Sequence, residues 1–347
     1  MVSVRRGSLS VVAAAAVVVG LATPVAVSAA PPGAASQHVI VLLRNQHSEL
    51  PATHGNARRR VAVTDADQSR LVSDATAAGG TSVRRFHVIN GFAVTASASE
   101  QDRLRSDPVV AAVLPDRQIA LSKTDQSDTS VSTHGTVSGT TCTSDPTKPL
   151  LEPEALQLTR TAFADPKVGS AQQLATGKGV KVAFLADGLD VNNPDFIRSD
   201  GSKVFVDYRD FSGDGPLAVS AAAEAFGDAS SIAAQGRQVY DLADYVNPAH
   251  PLPVGCTIRV LGMAPGASLV GLKVFPAGGL AFSSAILAAL DYAATVDKVD
   301  VINESLGSNQ YPDTTDDPTA LFNEQLVAAG ITITASSGDA AGENTIG

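Results

Sequence analysis

The chain has 347 residues, 44% of them hydrophobic, 17% charged and 5% aromatic, with a formal net charge of −10 at neutral pH. This balance is apolar enough to fill packed cores and too polar for several membrane spans, so it describes a soluble globular protein of two or three domains. The acidic excess argues against the basic face that nucleic-acid modules use, and nucleic acid is excluded as a partner.

At the amino end, Arg5 and Arg6 precede an apolar run over residues 11–22, and Val27, Ser28 and Ala29 follow as small residues. That is the order of a secretory signal peptide cut after Ala29. A membrane anchor is the competing reading. Gly20 and Pro24 interrupt the run, which is shorter than the ~20 residues a span needs. Residues 1–29 are therefore expected to be a signal peptide, and the trimmed protein to be secreted, extracellular and off the membrane. Cys142 and Cys256 are the only cysteines. An even count in an oxidising compartment reads as one disulfide, with two free thiols as the alternative. The two cysteines lie far apart, no Cys-x-x-Cys occurs and the six histidines are scattered, so no metal site is expected.

Residues 31–121 carry a net charge of +2 and residues 122–347 a net charge of −14, which points to two units that attract each other. Residues 122–147, rich in Ser, Thr, Asp and Gly, have the composition of a linker. In the first unit the pattern predicts a strand at 38–43 and a helix at 65–78. One or two strands within 83–95 around Asn90-Gly91 come next, then a helix at 99–105 and a strand at 109–114. The second unit alternates: strands at 180–185 and 268–275, a helix at 283–296, a strand at 299–303, a helix at 319–329 and a strand at 331–335. Near-continuous apolar strands alternating with helices imply a parallel sheet covered by helices, with ligands beyond the carboxyl ends of the strands.

The order strand, helix, strand, strand, helix, strand over residues 37–121, with Ile89-Asn90-Gly91-Phe92-Ala93-Val94 and Asp107-Pro108-Val109-Val110, resembles the inhibitor-type prodomain of subtilisin-like proteases. The resemblance implies a small α+β, ferredoxin-like fold. Further along, the stretch from Val180 through Asp187-Gly188-Leu189-Asp190 to Asn193-Pro194-Asp195-Phe196 is similar to the subtilase strand that holds the catalytic aspartate. Gly262-Met263-Ala264-Pro265-Gly266-Ala267 and Asp300-Val301-Ile302-Asn303-Glu304-Ser305-Leu306-Gly307 follow in the family's order. The implied architecture is an α/β parallel sheet flanked by helices over residues 148–347, subtilisin-like and incomplete at its carboxyl end. What the resemblance implies in function is a secreted serine endopeptidase acting on polypeptides by acyl transfer. Its own prodomain would be an intramolecular inhibitor and chaperone, with no cofactor required and calcium left open.

The resemblance also exposes departures. Aligned through Asn193-Pro194-Asp195-Phe196, the family's catalytic aspartate falls on Ala186, and Asp187 stands one position on. Asp187 is a candidate catalytic residue; its other reading is a turn residue before Gly188. The family's His-Gly-Thr-His motif is missing, and its counterpart is the stretch from Glu224 to Ala234. Glu224 and Asp228 are four apart, on one face of a helix, where they are able to share a proton; the other reading is a solvated helix edge. The related sedolisins look similar in using a glutamate and an aspartate in place of histidine, and an aspartate as oxyanion residue. Here Ser336-Ser337-Gly338-Asp339 puts Asp339 in that role, protonated and donating, in a site that works best in acid. Ser305, Leu306 and Gly307 match the substrate-binding segment. His134-Gly135-Thr136 falls in the linker and His250 in an irregular loop, and neither fits a catalytic base. The family's nucleophile comes in a Gly-Thr-Ser segment ending in proline, well past the oxyanion residue, whereas the only Gly-Thr-Ser here is Gly80-Thr81-Ser82. The expectation is an amino-terminal part of a proprotease that does not itself hydrolyse peptides; the alternative is a secreted binding protein that keeps the fold without the catalytic triad.

Overall fold

A computed structural model describes residues 36–120, 150–151, 153–163, 165–220, 223–244, 254–309, 317–336 and 345–346. The expected signal peptide, the linker, Cys142, His134, His250 and Asp339 lie outside the described residues. The first part runs β1 (Gln37–Leu43), α1 (Ala57–Ala77), β2 (Thr81–Phe86), β3 (Gly91–Ala96), α2 (Ala98–Ser106), β4 (Val110–Pro115) and β5 (Gln118–Ala120). Four of these strands form an antiparallel sheet in the order β2-β3-β1-β4. Strand β1 is apolar almost throughout because both of its faces are covered. Val39, Val41 and Leu43 point into a core with Leu71, Ala75 and Leu104 of the helices. Ile40 and Leu42 alternate into a second, larger core.

Helix α1 begins eight residues before the expected start at Asp65. Its buried positions include Arg60, Thr64 and Gln68 ahead of Leu71 and Ala75, so the inward face is polar in its first half and shows no hydrophobic period. Arg60 is fully buried. Its guanidinium donates to five carbonyls: His87 O at 2.5 Å, Val88 O at 2.6 Å, Leu50 O at 2.7 Å, His47 O at 2.9 Å and Gln46 O at 3.0 Å. One side chain thus ties the β1–α1 loop to the turn after β2.

The second part contains β6 (Leu150–Leu151), α3 (Pro153–Leu158), α4 (Ala171–Leu174), β7 (Lys181–Ala186), β8 (Phe205–Asp210) and α5 (Glu224–Ala233). It continues with β9 (Tyr240–Asp241), β10 (Thr257–Arg259), β11 (Ser268–Lys273), β12 (Leu280–Phe282), α6 (Ser283–Tyr292), β13 (Val301–Glu304), β14 (Ser308–Asn309), α7 (Pro318–Ala328), β15 (Thr332–Ala335) and β16 (Thr345–Ile346). Five strands make a parallel sheet in the order β15-β13-β7-β11-β8. The four expected strands are present. The fifth, β8, was not legible: it pairs only with β11, so its Phe-Val-Asp-Tyr-Arg-Asp sequence keeps charged residues that an interior strand would exclude. The helix expected to run to residue 296 is α-helical only to Tyr292 and closes with a π-turn at Ala293–Asp297.

Asp195 anchors the turn after β7. It is fully buried, and its carboxylate accepts from Arg237 N at 2.6 Å, Gln238 N at 2.9 Å and the Tyr240 hydroxyl at 2.8 Å. Asp195→Ala leaves these donors unmet in a dry site and is expected to cost ~2–4 kcal/mol in urea unfolding; a loss below about 1 kcal/mol would show that water replaces the carboxylate freely.

The two parts share the larger core, in which Phe86, Val88 and Ile89 meet Ile286, Leu290 and Phe322. Strand β5 adds antiparallel to β12, with Ile119 opposite Ala281. Helix α6 has no side-chain cap of its own. Its first turn is capped instead from the first part, by Asp116 accepting from Ser284 N at 2.9 Å and Arg117 O accepting from Ser283 N at 2.8 Å.

Candidate active site

Because the sheet is parallel, β7, β13 and β15 all deliver their carboxyl ends to one edge, and Asp187, Ser305 and Ser336 lie immediately beyond them. Ala186, the last residue of β7, is 1% exposed and points into an apolar cluster with Phe184, Leu189, Phe196, Phe205 and Ala225. The neighbouring Asp187 lies just past the strand, and its carboxylate turns to the same helix, α5. It is also 1% exposed; its Oδ2 accepts from both the amide and the hydroxyl of Ser220 at 2.7 Å, and its Oδ1 from Ala225 N at 3.0 Å. Asp187 therefore caps α5. The helix needs that cap from afar, since its own N-cap residue is Ala223, in a left-handed conformation with φ of 49°. Gly188 is required next to it: a Cβ there would stand 2.4 Å from Ala218 O, so the 217–220 loop closes on Asp187 only over a glycine.

Helix α5 carries the two acidic residues expected to stand in for histidine. Glu224 opens the helix and is half-buried. Asp228, one turn on, has an Oδ2 that is shielded from solvent and has no hydrogen-bond partner. Its carboxyl pKa is pushed up to about 6: burial is the main cause, the nearby Asp187 charge adds to it, and a hydrogen bond with Ser305 opposes it. Ser305 also receives the Asn303 side-chain amide at 2.8 Å, and Asn303 is itself held by the Thr334 hydroxyl at 3.0 Å. The helix and two strand ends thus bring Asp187, Asp228 and Ser305 to one place. Leu306 and Gly307 continue from Ser305, both half-buried, and Leu306 O accepts from the Ser336 hydroxyl at 3.1 Å.

A raised aspartate pKa has a definite sign in stability. The folded state holds the Asp228 proton more tightly than the unfolded chain, so the contribution is present below about 3.8 and is lost as pH rises through about 6. Asp228→Asn is expected to stabilise the protein by ~1–2 kcal/mol near neutral pH and by nothing near pH 4, as read by urea unfolding at the two pH values. Equal effects at both would mean that the carboxyl titrates normally.

Two further buried ionisable groups border this edge and were not among the expected residues. Glu304, 4% exposed, accepts from the Asn323 amide at 2.9 Å through Oε2, and its Oε1 has no partner; burial raises its pKa. Lys273, fully buried at the end of β11, donates to Ser212 Oγ, Asp214 Oδ1 and Phe275 O, and so holds the 211–215 loop. A charged residue in an apolar strand was the available signal for both. Cys256 is disulfide-bonded, and the one other cysteine in the sequence is Cys142. No group of His, Cys, Asp and Glu able to hold a metal occurs among the described residues.

An antiparallel αβ unit is thus laid by its last strand along a parallel α/β unit, with carboxylates and a serine gathered at the sheet's carboxyl edge. Residues 177–346 match the subtilase family of peptidase S8, and residues 37–122 match peptidase inhibitor I9. The chain belongs to the subtilase family and carries an inhibitor prodomain. Among solved structures it is similar to fervidolysin from Fervidobacterium pennivorans, described as a keratinolytic enzyme related to subtilisin, with 15% sequence identity and a TM-score of 0.48. That similarity covers 87% of this chain and 40% of fervidolysin, so the present chain spans less than half the length of that protein.

Proposed function

We propose that this protein is a secreted subtilase-family serine endopeptidase, made as a zymogen in which residues 37–121 restrain the peptidase unit until they are cleaved away. The observation that carries the reading is the seat of β5 on β12. An extended segment of the first part already pairs antiparallel with the short strand β12 and completes the cap of α6, the backbone pairing by which an extended peptide is recognised. In the proposed chemistry a serine hydroxyl attacks the peptide carbonyl and forms the acyl-enzyme as the amine leaves. Glu224 and Asp228 together take the serine proton and pass it to that amine, and a protonated Asp339 donates to the oxyanion. Asp187 holds the helix on which that pair sits. Cleavage would need Asp228 to be able to ionise and Asp339 to stay protonated, so a bell-shaped rate on the acid side of neutrality is expected. The secretory address rests on the order of residues in the first 29 positions.

A second reading has its own observation. Ala186 occupies the place of the catalytic aspartate and is sealed in an apolar cluster, which fits a secreted binding protein with the family's fold and no hydrolysis. A fluorophosphonate probe decides between them when applied to the complete gene product, secreted with its own leader and freed of residues 37–121. Covalent labelling of one serine, lost in Asp228→Asn, supports the peptidase. No labelling at any pH between about 4 and 8 sinks it and favours the binding protein.

A further inference from the structure

Asp291 of α6 is 5% exposed, and its carboxylate is taken up by one dipeptide of the prodomain. Oδ1 accepts from His87 N at 2.6 Å and Val88 N at 2.7 Å, while Oδ2 lies 2.6 Å from His87 Nδ1. From the opposite side, Arg60 donates to the carbonyls of the same two residues, at 2.5 Å and 2.6 Å. A buried guanidinium and a buried carboxylate, one from each part of the chain, therefore grip residues 87 and 88 between them. Burial lowers the Arg60 pKa, and Asp291 is the first of the charges that offset this, ahead of Glu49.

The second ring nitrogen of His87, Nε2, stands 3.4 Å from Asp65 Oδ1, which also faces Arg85 Nη1 at 3.3 Å. The charged groups around the imidazole are thus Asp291 from α6, Asp65 and Arg60 from α1, and Arg85 from β2. Both ring nitrogens face carboxylate oxygens, which only accept. A neutral imidazole has a single N–H and would turn a lone pair on one of them; the imidazolium donates to both.

We propose that His87 and Asp291 form a pH-dependent latch between prodomain and peptidase unit, closed while the imidazole is protonated and loosened when it loses its proton. The proposal rests on the reading of residues 37–121 as the element that restrains the peptidase, and adds how that restraint is regulated. Burial by itself lowers the His87 pKa; the hydrogen bond and charge of Asp291, then those of Asp65, outweigh it and leave it raised above the ordinary 6.5. The sign follows. A pKa raised on docking gives a contribution fully present below 6.5 and lost as pH climbs through the docked value. An acid setting keeps the zymogen shut, and a rise in pH precedes release.

Hydrogen exchange on the intact chain tests this, with rates corrected for intrinsic exchange. Amides of β2, β3 and α6 are expected to lose protection by about fivefold between about pH 5.5 and pH 8, the difference between a charge-assisted and a neutral hydrogen bond. In His87→Gln that pH dependence disappears, because the amide side chain does not titrate. Equal wild-type protection at both pH values, or the same dependence persisting in His87→Gln, would overturn the latch. Should the variant fail to fold, 15N titration of the wild-type imidazole decides instead, and a midpoint at or below 6.5 refutes the proposal. The peptidase reading fails separately: a protein labelled by fluorophosphonate but flat in exchange loses only the latch, and an unlabelled protein with pH-dependent exchange loses only the peptidase.

Discussion

Replacing Arg60 by leucine is expected to destabilise the prodomain by ~3–5 kcal/mol, the largest effect of any single change at its core, because five carbonyl oxygens lose their donor in a closed site. Leucine supplies comparable apolar contact but no hydrogen, so the loops ending at Leu50 and Val88 must either admit water or separate. Arg60→Lys keeps the charge with three donors in place of five and is expected to recover part of the loss. Urea unfolding of the intact chain, followed by exchange in α1, measures both. A leucine variant within about 1 kcal/mol of wild type would mean that the carbonyls are satisfied without Arg60.

Asp187→Ala should be nearly as severe, at ~3–4 kcal/mol, since it strips the acceptor from two amides and a hydroxyl and removes an anion from the start of α5. Its effect should be local, fraying residues 217–228 first, and exchange at Ala225 reports it directly. Asp187→Asn separates capping from charge. The amide oxygen still caps Ala225, but the neutral side chain no longer raises the Asp228 pKa, so the Asp228 midpoint is expected to fall below about 6 in a carboxyl 13C titration. An unchanged midpoint would show that burial alone sets it. The same variant should leave the His87–Asp291 contacts untouched, because Asp187 bonds to Ser220 and Ala225 and to neither of those residues.

The strands of the parallel sheet were legible because burial on both faces writes itself as an apolar run, as in residues 182–186 and 269–272. Strand β8 and the first two turns of α1 were not, and for a common reason. At an edge, or on a face that buries arginine and glutamine through hydrogen bonds, composition stops following burial. The carboxylate pair Glu224 and Asp228 was visible as a spacing, and Asp187 as a departure from a family's register. Neither spacing nor register told that the Asp187 carboxylate would be filled by Ser220 and Ala225, or that Asp228 would keep an oxygen unpartnered beside Ser305.

What the sequence determined by itself was therefore the plan: a small antiparallel unit followed by a parallel α/β unit, the family to which they belong, and the carboxylates proposed to stand in for that family's catalytic residues. These follow from periodicity and local motif, which are properties of neighbours along the chain. Only the tertiary structure decided which carboxylates are spent on helix caps and which are left free to titrate, and that Asp291 meets His87 across 204 residues. A pKa and a hydrogen bond depend on burial and on partners distant in sequence, and both are set when strands β7, β13 and β15 bring their ends together and the prodomain closes over α6.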